Sequence, residues 1–241
     1  MPDALPILII KTGSTHAPLR ERLGDFEDWI ATGLQSGGAA TVVHDARGSG
    51  SLPAPDRLAG AVITGSHSMV SDREPWSEAL LPWLQSAVRQ DLPLLGICYG
   101  HQLLAHALGG EVGHHPAGVE IGTVVVNGLA AATTDPLLGT LPASFDAQAV
   151  HWQSVRRLPP GAIALARNAH DAHHAFRVGR HTWGVQFHPE FSDEAMRSYL
   201  ERMENRLKDE GLDAAAISTA VRVTPEAASL LPHFARLALG H

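Results

Sequence analysis

The chain is poor in cysteine, in aromatic residues and in positive charge, and it has no long apolar run. Its 241 residues include one cysteine, Cys98. A single thiol excludes an internal disulfide framework and suits a reducing compartment, so a cytoplasmic protein is expected. Lys and Arg total 18 against 25 Asp and Glu, a formal net charge of −7. That balance argues against nucleic acid or an acidic membrane surface as a main partner. No apolar run approaches membrane-spanning length. The start, with Asp3 and Pro6, lacks a basic stretch ahead of an apolar one, so neither a membrane span nor a signal peptide is expected. A phosphate loop of the form Gly-x-x-x-x-Gly-Lys-Ser/Thr is missing too. What remains is ordinary for a water-soluble globular chain: 44% apolar, 18% charged and only 5% aromatic. The length suffices for one large α/β domain with a full core. There is no internal repeat and no low-complexity linker.

The lone cysteine stands in the most informative stretch, Leu94-Leu95-Gly96-Ile97-Cys98-Tyr99-Gly100-His101-Gln102. An apolar run ends in Gly-x-Cys-x-Gly, and a helical pattern follows at once. This is the pattern of a nucleophile elbow with sulfur in place of a hydroxyl. Small residues are needed beside such a turn, hence Gly96 and Gly100. A thiol at a helix N-terminus meets free N–H groups and the positive end of the dipole, and both lower its pKa. Taken alone, Cys98 could equally be a buried structural cysteine.

About ninety residues on, Trp183-Gly184-Val185-Gln186-Phe187-His188-Pro189-Glu190 reads as a strand with an abrupt stop, because Pro189 cannot continue the ladder. Glu190 is placed to turn back onto the His188 imidazole. A nucleophile, a base and a carboxylate that orients the base form a triad recognised by roles, not by chain order. With fifteen histidines in the chain, a His-Pro pair alone would pass for a strand corner; Cys98 gives it meaning. A third segment, Ala61-Val62-Ile63-Thr64-Gly65-Ser66-His67-Ser68, is a strand running into a small-residue turn, able to offer backbone N–H donors to an oxyanion.

These motifs resemble the class I, triad-type glutamine amidotransferase family, over residues 5 to 195 or so. The resemblance implies Cys98 as nucleophile, His188 as proton shuttle and Glu190 as the group that holds His188. It implies oxyanion donors at Tyr99 and at Gly65 or Ser66, although the family's turn often reads Gly-Gly-Pro where this chain has Gly-Ser-His. Gln102 matches a family side chain that helps hold the glutamyl group. Two branches look nearest: stand-alone γ-glutamyl peptidase-like members and the amidotransferase domain of GMP synthase. Ile63-Thr64-Gly65-Ser66, Asp72-Arg73-Glu74-Pro75-Trp76 and His151-Trp152-Gln153-Ser154-Val155 carry the former likeness. Gln153 stands where that branch usually has an acidic residue, so substrate contacts are expected from groups around Gln153 and Ser154.

The patterning agrees with an α/β protein. Ile7–Ile10, Thr41–Val43, Ala61–Thr64 and Leu94–Ile97 read as strands. A helix marked by Leu19, Leu23, Phe26, Ile30 and Leu34, one over Trp76–Arg89 and one over His101–Leu108 fall after the first, third and fourth of them. Such alternation implies an open, mostly parallel sheet flanked by helices, the flavodoxin-like arrangement of the resembled family, with its site at the strand carboxyl ends. After Gly110, short strands at Glu111–His115, Val119–Val126, Phe145–Val150, Ile163–Ala166 and His173–Arg177 predict antiparallel additions. They lead back to Thr182–Phe187. From Ser192, which caps a helix marked by Met196, Tyr199, Leu200, Met203 and Leu207, the chain reads as a helical extension. Pro232 should kink or split its last helix. The expected organisation is residues 1–191 as the amidotransferase domain and 192–241 as an extension packed beside it, leaving the crevice accessible.

No cofactor and no metal are expected. His170, His173 and His174 beside Asp171, and the pair His114 and His115, lack a metal-site spacing. Trp76 reads as core. Three functions remain: a hydrolase of glutamine or another γ-glutamyl compound acting through a glutamyl thioester, an ammonia-supplying subunit of a separate synthetase, and a non-catalytic binding or regulatory protein of the same fold. The complete triad weighs against the last.

Overall fold

A computed structural model describes residues 5–240. Asp3 and the outermost ends of the two expected segments, 1–4 and 241, lie outside the described residues. The elements run β1 (Ile7–Lys11), α1 (Ala17–Leu23), α2 (Phe26–Ser36), β2 (Thr41–Asp45), β3 (Gly60–Ile63), α3 (Pro75–Glu78), α4 (Leu81–Arg89), β4 (Leu94–Ile97) and α5 (Tyr99–Ala107). Then come β5 (Glu111–His114), β6 (Glu120–Gly128), β7 (Ser144–His151), β8 (Gln153–Arg157), β9 (Ile163–Arg167), β10 (Ala175–Val178) and β11 (Thr182–Val185). The chain closes with α6 (Asp193–Asp209), α7 (Ala214–Ala220), α8 (Pro225–Ala228) and α9 (Leu230–Ala238).

Nine strands form one sheet in the order β2-β1-β3-β4-β11-β10-β9-β6-β7. The pairs from β2 through β11 are parallel, and those from β11 outward to β7 are antiparallel. β5 and β8 pair separately. The parallel strands alternate between two cores. Ile7, Ile9, Val62, Leu95 and Ile97 face α2 and α9, while Leu8, Ile10, Ala61, Ile63 and Leu94 face α4 and α5. Burial on both faces is why these strands read as unbroken apolar runs. β2 is an edge strand, which leaves Val42 and Val43 exposed.

Some expected elements divide. The first helix breaks into α1 and α2 at Gly24, whose φ of 85° ends α1, and Asp25 then starts α2 with a capping box. The helix expected over Trp76–Arg89 becomes α3 and α4, with Pro82 in the first turn of α4. The last helical segment is split, as expected: α8 ends at Ala228 and α9 begins at Leu230, which puts Pro232 in the first turn of α9, where a missing N–H costs nothing. β8 escaped the sequence pattern. Its first three residues are buried and its last two, Arg156 and Arg157, exposed, so neither alternation nor an apolar run marks it.

Strand order fixes the site. β3, β4 and β11 are neighbours, and their carboxyl ends lead directly to Gly65, Cys98 and His188. The turn at Cys98 has φ 50° and ψ −99°, a left-handed backbone that a side chain rarely adopts. Contacts as close as backbone against backbone hold it there. A Cβ on Gly96 would lie 2.4 Å from the Gly100 carbonyl oxygen, and one on Gly100 would lie 2.5 Å from the Ile63 carbonyl oxygen. Both neighbours are main chain and have no rotamer through which to give way. Gly100→Ala should therefore destabilise the fold by about 1–3 kcal/mol, read as a lower midpoint in urea unfolding with unchanged slope. Wild-type stability in that variant would contradict this account of the turn.

Candidate active site

Cys98 is the N-cap residue of α5, with its backbone N–H tied to the Val185 carbonyl at 2.9 Å. Its Sγ lies 3.7 Å from the Val150 carbonyl oxygen. His188 is held on the neighbouring strand end: its N–H donates to the Gln148 carbonyl at 2.8 Å, and its ring stacks on Phe191 at 4.1 Å between centroids. The Nδ1 of His188 donates to Glu190 Oε1 at 2.7 Å. Both side chains are buried, His188 at 3% exposure and Glu190 at 0%. That bond fixes the ring and leaves Nε2, the nitrogen on the other side, with no hydrogen-bond partner among the described residues. Burial alone would lower the pKa of His188. The charges of Glu190 and Cys98, with the hydrogen bond to Glu190, outweigh it and raise the imidazole to about 10.

Gly65 abuts the pair, since a Cβ there would meet His188 Cε1 at 3.1 Å and Cys98 Cβ at 3.9 Å. Its carbonyl is turned away, accepting from Thr12 Oγ1 at 3.0 Å and Thr64 Oγ1 at 2.9 Å. Ser66 and Tyr99 line the same cleft. The Tyr99 N–H, at the first position of α5, has no intrahelical partner by its place in the helix. Gly65, Ser66 and Tyr99 thus all border the cleft that contains Cys98.

The expected substrate contacts are less uniform. Gln102 and Gln153 line the cleft, Ser154 does not. Gln102 spends its Nε2 on the Gln153 carbonyl at 2.7 Å and on Gln186 Oε1 at 3.0 Å. The Gln153 side chain turns to Ser71, where Nε2 donates to Oγ at 2.5 Å and Oε1 accepts from N–H at 3.3 Å. Ser154 is buried at 1% exposure beside Asp171, because β8 alternation points it into the interior. Gln102 and Gln153 therefore brace each other and the cleft wall.

The histidines sort themselves differently from the sequence reading. His174 joins His151 and Glu120, a group whose ligand atoms all lie within 4.8 Å of one another. Sequence spacing concealed this set because Glu120, His151 and His174 come from β6, β7 and the turn before β10. Glu120 Oε2 accepts from His151 Nε2 at 2.9 Å and His174 Nε2 at 2.8 Å, and His151 Nδ1 donates to the Gln153 carbonyl at 3.0 Å. Burial pushes the Glu120 carboxyl up, yet the two histidines override it and hold it below the usual carboxylate range. The Nε2 atoms of both histidines are engaged with the carboxylate. The set reads as a strut under the Trp152–Gln153 turn.

The cleft itself, about 220 Å³, is lined by both Cys98 and His188. One wall was missed from the sequence: Phe26 of α2, His67, Phe191, and Tyr199, Arg202 and Met203 of α6 all line it. The expected extension is thus not merely beside the crevice. Phe26, Tyr199 and Met203 carried helical apolar spacing, which reads as core and gives no hint of an open cavity.

The family model described as Glutamine amidotransferase class-I matches residues 40–205, more than half of the chain. The protein belongs to that family. A glutamine-hydrolyzing GMP synthase of Thermomicrobium roseum is 40% identical over 144 residues, covering 59% of this chain and 25% of the relative. Gamma-glutamyl-L-1-hydroxyisopropylamide hydrolase of a Pseudomonas species is 32% identical over 158 residues, covering 63% and 54%. The chain therefore spans a quarter to about half of these relatives' length. Gamma-glutamyl peptidase 3 of Arabidopsis thaliana is 29% identical, covering 71% of this chain and 70% of the relative. Among solved structures, a glutamine amidotransferase from Methylobacillus flagellatus superposes with TM-score 0.75 at 26% identity, over 98% of this chain and 93% of its own. One from Thermotoga maritima reaches TM-score 0.76 at 19% identity, over 98% and 99%, and so attests the fold. No helix among the described residues is long and apolar enough to cross a membrane.

The charge coupling at His188 has a measurable consequence. Its folded pKa is raised from 6.5 to about 10. The resulting stabilisation is fully present below the unfolded value and is lost as pH rises through about 10. Cys98→Ala removes one of the charges that raise it. The imidazole should then titrate at lower pH in NMR, and the alkaline loss of stability should be complete at a lower pH. An unchanged His188 titration in Cys98→Ala would contradict the coupling.

Proposed function

We propose that the protein is a cysteine-dependent hydrolase of γ-glutamyl amides. The observation that carries this reading is the buried His188–Glu190 bond of 2.7 Å beside the left-handed turn at Cys98. In the proposed reaction the Cys98 sulfur attacks the side-chain amide carbon of a γ-glutamyl compound, glutamine included. The carbonyl oxygen takes up negative charge among the N–H groups of Tyr99 and of Gly65 or Ser66. The C–N bond then breaks, and His188 gives its proton to the departing nitrogen. Water adds to the glutamyl thioester, its proton passing to His188, and glutamate leaves as the thiol is restored. Glu190 keeps Nδ1 protonated and the ring in place throughout.

In this reading residues 1–191 form the catalytic unit. Residues 192–241 are an extension that also walls the cleft. The reaction calls for neither metal nor nucleotide, and the lone thiol suits a reducing cytoplasm. The second reading, an ammonia-supplying subunit of a separate synthetase, is favoured by the 40% identity to part of a GMP synthase. The purified chain separates the two. As a free-standing hydrolase it should release glutamate from at least one γ-glutamyl amide without ATP or a partner. Cys98→Ala should abolish release, and His188→Ala should lower kcat by about 10³-fold. Release that appears only on adding a second protein would select the subunit reading. Retained turnover in Cys98→Ala would remove both.

A further inference from the structure

Besides Cys98 and His188, the cleft is lined by Phe26, Phe191, Tyr199, Arg202 and Met203. His188 Nε2 faces away from Glu190 and is the nitrogen placed to protonate a leaving amine, so the amine lies against the face of the cleft that holds His188. Next to His188 this face is aromatic. Phe191 stacks on the imidazole, Phe26 stacks on Phe191 at 6.0 Å, and Tyr199 lies 5.2 Å from Phe191. Ammonia needs no such surface.

Beyond the aromatic groups stands Arg202. It lines the cleft from the exposed side of α6 and makes no ion pair among the described residues. The other cations nearby are accounted for. Arg206 is paired with Glu210 at 3.4 Å and lies 3.6 Å over the Trp152 ring. Arg22 is paired with Glu194. His16 and His67 are held toward the neutral form by burial first, and then by positive neighbours that include Arg202. Glu201, beside Arg202 in the chain, is exposed and acts on His16 only as the weakest of its influences.

We propose that this wall is a leaving-group subsite for an amine bearing an apolar side chain and a carboxylate, so that the substrates are γ-glutamyl derivatives of apolar amino acids, with Arg202 receiving the carboxylate. The proposal rests on the hydrolase reading above and names its substrate class. Phe26, Phe191, Tyr199 and Met203 desolvate the side chain, and the Arg202 guanidinium, with its planar fork of donors, matches a carboxylate. A neutral or cationic amine gains nothing from Arg202, and a cation is repelled.

The test compares two amides that differ only in the carboxylate: γ-glutamyl-phenylalanine and γ-glutamyl-phenethylamine, with glutamate release measured for the whole chain. The wild type should favour the former in kcat/KM by roughly 10-fold, the range of one charge-assisted hydrogen bond. Arg202→Ala should cancel most of that ratio, chiefly through KM, and Arg202→Lys should restore part of it. Arg202→Glu should invert the preference. Release from both amides with no preference for the acid, or a preference that survives Arg202→Ala, overturns the subsite and leaves the hydrolase reading standing. Release from neither amide while glutamine is hydrolysed also overturns the subsite. No release from any γ-glutamyl compound overturns both.

Discussion

The backbone at Cys98 is the constraint on which the site depends. A residue with a side chain is held at φ 50° at the corner where β4 becomes α5. Such a conformation costs on the order of 1–3 kcal/mol and persists only where the surroundings over-determine it. Here they do, through Gly96 against Gly100 and Gly100 against Ile63. The same corner aims the thiol out of the sheet and leaves the first N–H groups of α5 unbonded. Because β3 and β11 flank β4 in parallel register, the groups that serve the thiol arrive from both sides at the same height.

Electrostatics then decides what the corner can do. A buried imidazole would ordinarily be neutral, and desolvation is the largest single influence on His188. Glu190 and Cys98 reverse it together, so the three groups act as one coupled unit and not a base with a spectator. The Glu120–His151–His174 set follows the same principle away from the chemistry. A buried carboxylate stays ionised because two imidazoles meet it, and the set supports the Gln153 carbonyl that in turn receives Gln102.

Much of this was legible in the sequence, for physical reasons that differ by element. β1, β3 and β4 announced themselves because strands buried on both faces must be apolar throughout. The Gly-x-Cys-x-Gly turn and His188-Pro189-Glu190 were legible because each packs its geometric requirement into a few adjacent residues. β8 was not, since its burial changes midway. The Glu120 set was not, since its members are brought together by strand pairing across distant segments. The α6 wall was not, since Phe26, Tyr199 and Met203 keep the spacing of a core face while facing a cleft. Ser154, expected near substrate, is directed inward by the alternation of a strand that the sequence did not reveal.

The central claim is that Cys98 carries the glutamyl group during turnover. Rapid acid quenching of the wild-type chain with a γ-glutamyl amide, followed by intact-protein and peptide mass spectrometry, tests it most directly. The account predicts a transient adduct of one glutamyl residue on the peptide that contains Cys98, decaying at the rate of glutamate release. Steady glutamate release with Cys98 unmodified at every quench time, and undiminished when the thiol is alkylated beforehand, would contradict it.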